Sequence, residues 1–359
     1  MVNRDELGSF AFTILVSCAF FLTIILVLPL QNWGKEGKLA DNSTVDVKGS
    51  NVFQASENPR VEIVVILIGD VMLGRSVMAE SLARQDPIYP FRNVADTLRQ
   101  ADLVFINLEN PIIDNCPTTA SGFKFCASPE MVKGLVYSGV DVASLANNHT
   151  DNFGLDGLNQ TRKILEDNGI LVTGLGSLAI KQFGNSKFGF LGFNKAQEVR
   201  PKLSNEEVEL VKNSDSKVDV LVVAMHWGIE YQAAALPGVR ILSYELIKQG
   251  ADVIVGHHPH WVQDVDCFGE ENKEGTISYK VVRNITSQEF VKGDVCPTNT
   301  KPVFYSLGNF IFDQMWSEET KKGAAVELSF SKGVDTEWKV LDTYIKNLGQ
   351  PEFLGNKFF

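Results

Sequence analysis

A chain of 359 residues, 44% of them apolar, is long enough to bury one large core or two smaller ones. Its formal charge of −11 argues against a nucleic-acid binder, which needs a basic footprint to release counterions from phosphate. No nucleic-acid partner is expected, and an anionic ligand would have to be held by a local site rather than by the surface as a whole.

The chain opens with a short tail, residues 1–8, followed by an uncharged stretch from Ser9 to Leu30 dominated by Phe, Leu, Ile and Val. Such a run crosses a hydrocarbon core of ~30 Å as one helix. It is longer than the apolar region of a signal peptide and lacks a small-x-small cleavage site. Leu15-Val16-Ser17-Cys18 has the form of a lipoprotein cleavage box, but the apolar run continues for twelve residues beyond Cys18, where a lipidated chain turns polar. Residues 9–30 are therefore read as an uncleaved transmembrane anchor. Arg4 on one side and Lys35 and Lys38 on the other give little charge asymmetry from which to read orientation. Residues 31–60 are rich in Gly, Asn, Ser, Lys and Asp and read as a flexible linker.

Cysteine usage speaks to the compartment. Outside the anchor stand Cys116, Cys126, Cys267 and Cys296, with no Cys-x-x-Cys pair to suggest zinc. In an oxidising compartment the simplest pairing is Cys116–Cys126 and Cys267–Cys296, although three connectivities exist. The expectation is a single-pass cell-membrane protein whose body is extracytoplasmic.

From Val61 strands and helices alternate. Strands are expected at Val61–Gly69, Asp102–Leu108, Val140–Ala146, Ile170–Gly174, Lys187–Phe193, Val218–Met225 and Asp252–Val255. Helices are expected at Phe91–Ala101, Pro129–Gly139, Leu155–Asn168, Asn205–Asn213 and Val239–Gly250. β-Rich segments follow at Pro302–Leu307, Ala324–Phe330 and Trp338–Ile345, and Cys267–Cys296 looks like an inserted loop or hairpin. This is an α/β domain over residues 61–346 with a tail at 347–359.

Polar residues collect where the strands end. Asp70, Asn107, Glu109, Asn147, Asn148, His149 and His226 each follow an apolar run, and Val253-Ile254-Val255-Gly256 releases His257, His258 and His260. In open α/β sheets the carboxyl ends of strands face one crevice, so such residues converge from distant parts of the chain. Positions two apart in an extended segment point the same way, which pairs His258 with His260. Carboxylates, an amide and imidazoles, with no thiolate, suit Mn²⁺, Fe²⁺ or Zn²⁺. One or two divalent ions are expected, and a bridging carboxylate such as Glu109 would serve a pair. A lone strand-end Asp is ordinarily a turn or cap residue. It is the convergence of every histidine on such ends that points to a metal.

The motifs Gly69-Asp70-Val71-Met72-Leu73-Gly74-Arg75, Asn107-Leu108-Glu109-Asn110-Pro111, Ala146-Asn147-Asn148-His149, His226-Trp227-Gly228-Ile229-Glu230-Tyr231, Gly256-His257-His258-Pro259-His260 and Tyr305-Ser306-Leu307-Gly308-Asn309-Phe310 occur in this order. Together they resemble the CapA family of poly-γ-glutamate capsule biosynthesis proteins, related to the calcineurin-like metallophosphoesterases. The resemblance covers Val61 to Asp313. It implies a four-layer α/β/β/α sandwich with a metal centre at its loops, in a membrane-anchored component of exopolymer assembly or export. The implied partners are an anionic exopolymer or its precursor and subunits of a polymer synthetase or exporter.

Carried over by residue, the resemblance makes Asp70 a metal carboxylate, Glu109 the bridging carboxylate, and Asn148, His226, His258 and His260 further ligands, with His257 an alternative to His258. His149 takes the place of a histidine that contacts the reacting phosphoryl group, with the role of acid. Arg75 and Glu230 would orient an anionic substrate or form structural ion pairs, and Asn309 and Asp313 are left without a role. One departure stands out. The broader superfamily has a histidine two residues after the first aspartate, and here that position is Met72, a poor ligand for these ions.

Overall fold

Apolar side chains alternate along the strand that begins the domain, and the alternation sorts them into two different cores. The computed structural model describes residues 62–271, 277–282, 300–331 and 337–355. The expected anchor and linker, and Cys296, lie outside the described residues. Among the described residues no helix is long and apolar enough to cross a membrane.

The first half of the domain runs β1 (Glu62–Val71), α1 (Arg75–Ala83), α2 (Ala95–Leu98), β2 (Leu103–Leu108), α3 (Val132–Tyr137), β3 (Val142–Ser144), α4 (Gly154–Asp167) and β4 (Leu171–Thr173). The second runs β5 (Ala179–Phe183), β6 (Ser186–Ala196), α5 (Asn205–Asp215), β7 (Val220–Gly228), α6 (Pro237–Lys248) and β8 (Val253–His257). The remainder is all strand: β9 (Val265–Glu271), β10 (Ile277–Val282), β11 (Lys301–Phe304), β12 (Asn309–Ile311), β13 (Lys322–Ser331), β14 (Glu337–Asn347) and β15 (Gln350–Phe353).

The strands form two sheets. The first has the order β15-β14-β13-β1-β2-β3-β4, with β12 also pairing β1, and the second has the order β10-β9-β11-β8-β7-β6-β5. Strands β1 to β4 are mutually parallel, as are β6, β7, β8 and β11. Their carboxyl ends carry the candidate ligands.

Period-two alternation explains the layering. Val65 and Leu67 of β1 and Leu103 and Phe105 of β2 share a core with Phe188, Phe190, Val222, Val253 and Val255 from the second sheet. The sheets therefore meet face to face, with Phe105 stacked on Phe190 at a centroid separation of 5.5 Å. The intervening residues Ile66, Ile68, Val104 and Ile106 turn to the other side, against Val77, Met78, Leu98, Leu135 and Leu165 of α1 to α4. On the second sheet Leu221, Val223 and Met225 face Val211 of α5 and Val239, Leu242 and Leu246 of α6. The molecule is a mixed α/β fold with two sheets.

Several expectations are adjusted. The helix expected at Phe91–Ala101 is a 3-10 turn, Tyr89–Phe91, followed by the single turn of α2. Phe91, Val94, Ala95 and Leu98 are all buried, so the apolar spacing is real, but Pro90 sits at the start of the turn and the segment is too short to propagate. Helix α1 was not expected, because Ser76, Glu80 and Ser81 break its apolar stripe. Strand β5, which pairs antiparallel with β6, lies outside the expected strands, and β15 adds an edge strand within residues expected to be a tail. The segment after Cys267 opens as the antiparallel pair β9 and β10. Cys116 and Cys126 form the expected disulfide; Cys267 is itself disulfide-bonded.

Phe105 is fully buried between the sheets. Phe105→Ala is expected to lower stability by about 3–5 kcal/mol, the range for deleting a buried aromatic ring. Urea denaturation should show a lower midpoint at unchanged slope, whereas a loss under about 1 kcal/mol would mean that the sheets do not depend on this contact.

Candidate metal centre

Two glycines let the strand ends approach each other. A Cβ on Gly69 would lie 2.2 Å from the Gly308 carbonyl oxygen, and one on Gly256 would lie 2.0 Å from that of Tyr305. The segment Tyr305–Gly308 thus passes against both β1 and β8 just before Asp70 and His257. Beyond Gly256 the backbone turns sharply, with φ +95° at His258 and +59° at His260. This corrects the extended-segment reading of that pair: both histidines are aimed by left-handed backbone, which non-glycine residues adopt at a cost of about 1–3 kcal/mol each.

Asp70 is fully buried. Its Oδ1 accepts from Asn107 Nδ2 at 2.9 Å, and its Oδ2 lies 3.1 Å from His260 Nδ1 and accepts from the His258 backbone N–H at 3.3 Å. Burial acts to raise its pKa, but the bond from His260 and the neighbouring imidazoles outweigh burial and hold the carboxyl below its usual range.

Glu109 is the centre of the arrangement. Its backbone N–H donates to the Val71 carbonyl at 2.8 Å, which fixes it beside Asp70. Both carboxylate oxygens are buried with no hydrogen-bond partner, yet Nε2 of His149, His226 and His260 stand 3.8, 3.9 and 3.9 Å from Oε1. These separations are too long for hydrogen bonds. For His226 and His260 they match the spacing of atoms that could share an ion, since ligands held at ~2.0–2.2 Å from one metal lie ~3–4 Å apart, while His149 Nε2 stands beside that set. Ligand atoms of Asp70, Glu109 and His260 all fall within 4.8 Å of one another. Burial, then the Asp70 carboxylate, pushes the Glu109 carboxyl well above its usual range.

The imidazoles are oriented by amides. Asn309 Nδ2 donates to the Thr320 carbonyl at 2.9 Å, so its Oδ1 faces His260 Nδ1 at 2.9 Å. His260 therefore donates from Nδ1 and turns Nε2 toward Glu109, as metal-ligating histidines do. Burial acts to lower its pKa, but Glu109 and Asp70 outweigh burial and lift it to about 9. His226 Nε2 meets Asn148 Oδ1 at 2.8 Å, and burial with the neighbouring His258 lowers its pKa well below the usual value. His258 has a buried Nδ1 without a partner, its Nε2 lies 3.1 Å from Gln197 Nε2, and its ring centre is 4.8 Å from that of His226. Burial, aided by His260, lowers its pKa to about 3. Burial likewise lowers His149 to about 4.

The structure thus brings together Asp70, Glu109, Asn148, His149, His226, His258 and His260. His257 makes a different contact: its Nε2 lies 3.1 Å from the Ile68 carbonyl oxygen and links the two sheets. Arg75 pairs with Asp313 through Nε at 3.1 Å and through Nη2, while Nη1 donates to the Gly122 carbonyl at 2.8 Å. Glu230 lies at the edge, where burial and its charge raise Tyr231 to about 12. Met72 is fully buried in the first-sheet core, and its sulfur accepts from the Gly74 N–H at 3.1 Å.

The donor set fits a divalent ion. An unpartnered carboxylate and an unpartnered imidazole nitrogen, both buried, are groups that a cation would satisfy. Asn107, Asn147, Gln197 and Asn309 orient this set, a role that sequence reasoning does not assign to them. For the three asparagines the only signal is a position after an apolar run, where asparagine is usually a turn residue, and Gln197 carries no signal at all.

Removing the group that orients His260, by Asn309→Ala, is expected to weaken divalent-metal affinity by ~10–100-fold in calorimetric titration, while His257→Ala leaves affinity within a factor of a few. Equal affinity for Asn309→Ala and the parent would show that Asn309 does not set the His260 ring for metal binding, Asp70 Oδ2 at 3.1 Å from Nδ1 being enough. An incoming ion must also displace the proton that the Glu109–His260 pair retains, so loading should release protons and affinity should fall as pH drops below about 9. Titrations in two buffers of different ionisation enthalpy would read this directly, and no net proton release would contradict it.

Comparison with known proteins follows the same residues. The family model described as bacterial capsule synthesis protein PGA_cap matches residues 64–314. The capsule biosynthesis protein CapA of Bacillus anthracis is 30% identical over 292 residues, which span 74% of this chain and 63% of that protein. The PGA biosynthesis protein CapA of Bacillus subtilis strain 168 is 27% identical over 289 residues, spanning 74% of this chain and 67% of that protein. Among solved structures, a novel phosphatase of Mycoplasma pneumoniae aligns with a TM-score of 0.46 at 13% identity, covering 79% of this chain and 94% of that one. A hypothetical protein of Thermus thermophilus aligns with a TM-score of 0.40 at 15% identity, covering 77% of this chain and 99% of that one. With the family model spanning most of the domain and the six motifs in order within it, the chain belongs to the bacterial capsule synthesis protein family, PGA_cap.

Proposed function

We propose that this protein is a membrane-anchored, metal-dependent hydrolase or transferase of capsule-type exopolymer synthesis or export, acting on an anionic polymer of the poly-γ-glutamate kind or on its precursor. The observation that carries the reading is the buried, unpartnered carboxylate of Glu109 with three imidazole Nε2 atoms 3.8–3.9 Å from Oε1. Asp70, Glu109, Asn148, His226, His258 and His260 would hold the ion, of Mn²⁺, Fe²⁺ or Zn²⁺ type. Once bound, a divalent ion supplies Lewis-acid activation of a substrate oxygen and of water. His149, with Nε2 beside the ligands, handles the proton of the reacting group. The two facing sheets with helices outside them support the four-layer scaffold of metallophosphoesterase type.

Arg75, held by Asp313, places a fixed positive charge near the centre, and Glu230 adds a carboxylate at its edge. The uncharged run at residues 9–30 and the Cys116–Cys126 disulfide support the reading of an extracytoplasmic domain on a single-pass anchor. Polymer synthetase or export subunits are the partners this location implies.

A second reading has its own observation. Met72 occupies a ligand position with its sulfur committed to the Gly74 N–H, which supports a single ion and an anchored assembly or polymer-binding subunit without turnover.

His149→Ala separates the two. Under the enzyme reading, a screen of phosphodiester and γ-glutamyl substrates with Mn²⁺, Fe²⁺ or Zn²⁺ should show turnover that falls ~10²–10⁴-fold in the variant, with metal content retained. Absence of turnover by the parent under every metal would leave the assembly reading standing.

A further inference from the structure

The strand that delivers Glu109 continues into a loop that returns to the same place. Residues 117–124 are exposed, but Phe125 is only 3% exposed, and the loop is closed at its base by the Cys116–Cys126 disulfide. The base is also pinned by backbone bonds, with Ala127 N–H donating to the Pro111 carbonyl at 2.8 Å and Ile113 N–H donating to the Ala127 carbonyl at 2.9 Å.

The Phe125 ring lies face to face with His149, with centroids 3.9 Å apart and planes 21° apart. The Arg75 guanidinium lies 4.3 Å from the centroid of the same ring, and its Nη1 donates to Gly122 within the loop. Arg75 is in turn fixed by Asp313. Loop, arginine and imidazole therefore form one packed stack beside the ligands.

A second set of contacts fixes where the His149 proton sits. The backbone N–H of Phe125 donates to Asn152 at 2.6 Å. A backbone N–H can only donate, so the Asn152 atom it meets must be the amide oxygen. The same oxygen lies 3.2 Å from His149 Nδ1, so Nδ1 must carry the hydrogen. On the other side of the ring, Asn148 turns its Oδ1 to His226 and its Nδ2 to His149 Nε2 at 3.4 Å, a donor facing a nitrogen with a free lone pair. Both ring nitrogens give the same assignment.

We propose that the disulfide-closed loop is a positioning device for His149: Phe125 clamps the imidazole plane and Asn152, locked by the Phe125 N–H, sets the Nδ1–H tautomer. Nε2, 3.8 Å from Glu109 Oε1, is then presented beside the ligands with its lone pair free. Phe125 and Asn152 are positioning residues, and the disulfide holds them in register. The catalytic use of this arrangement rests on the function proposed above; the tautomer does not.

The test is ¹⁵N NMR of the full chain, metal-free and labelled in its histidine side chains, with His149 assigned by His149→Gln. The parent and Phe125→Tyr, which keeps the ring and the backbone N–H, should show His149 with Nε2 at the non-protonated end of the range and Nδ1 at the protonated end. Asn152→Leu, which removes the partner of Nδ1, and the double variant Cys116→Ser/Cys126→Ser should shift both signals toward the position of exchanging tautomers, with the other four histidines unmoved as the sign of an intact fold. An Nε2–H signal in the parent overturns the proposal, as does a parent-like His149 in both loosened variants. Because the measurement uses neither metal nor substrate, its failure is distinct from a failure to find turnover.

Discussion

Glu109 sets a full carboxylate where no hydrogen-bond donor reaches it. Burying an unpaired charge is among the most costly things a fold can do, and the usual outcome is neutralisation or capture of a counter-charge. Here burial and the adjacent Asp70 push the Glu109 carboxyl up, while His260 is pushed the other way from a normal buried imidazole, toward retaining its proton. A His260 that retains its proton nearby is a partial answer to the problem. A divalent cation is a complete one, and much of the surrounding structure is explicable as the means of holding that position open.

The fold commits backbone as well as side chains to the site. Gly69 and Gly256 permit the close pass of Tyr305–Gly308, and this brings Asn309 opposite Asp70 in the β1–β12 pairing. Among the described residues left-handed non-glycine backbone occurs at Arg75, Gln85, Asn115, Gln197, Tyr231, His258 and His260; His258 and His260 belong to the centre, Gln197 meets His258 and the Tyr231 ring lies 6.0 Å from that of His260. Such conformations persist only where the surroundings over-determine them. Trp227 contributes at one remove, since its indole N–H donates to the Tyr305 carbonyl at 2.8 Å and so anchors the segment that crosses Gly256.

The strands that build the site were legible because their apolar runs are continuous and end abruptly in Asp70, Glu109, His226 and the histidine cluster. Which of His257 and His258 faces the centre was not legible. The choice is made by a turn at φ +95°, and neither period-two alternation nor composition reports such a turn. The orienting residues Asn107, Asn309 and Gln197 were hidden for a different reason: their amides gain meaning only from partners 37, 49 and 61 positions away, which no local pattern encodes. The role of Asp313 became visible only with its ion pair to Arg75. Met72, by contrast, was readable as a departure from sequence alone, and its buried thioether bonded to Gly74 gives that departure a local structural role.

Whether Glu109 and its ring of imidazoles hold a metal ion is tested most directly by anomalous diffraction from crystals of the chain grown with Mn²⁺. The expected result is a single strong peak within ~2.0–2.3 Å of Glu109 Oε1 and His260 Nε2. A map with no peak there, and with the Glu109 carboxyl instead hydrogen-bonded to an ordered water or a side chain, would contradict it.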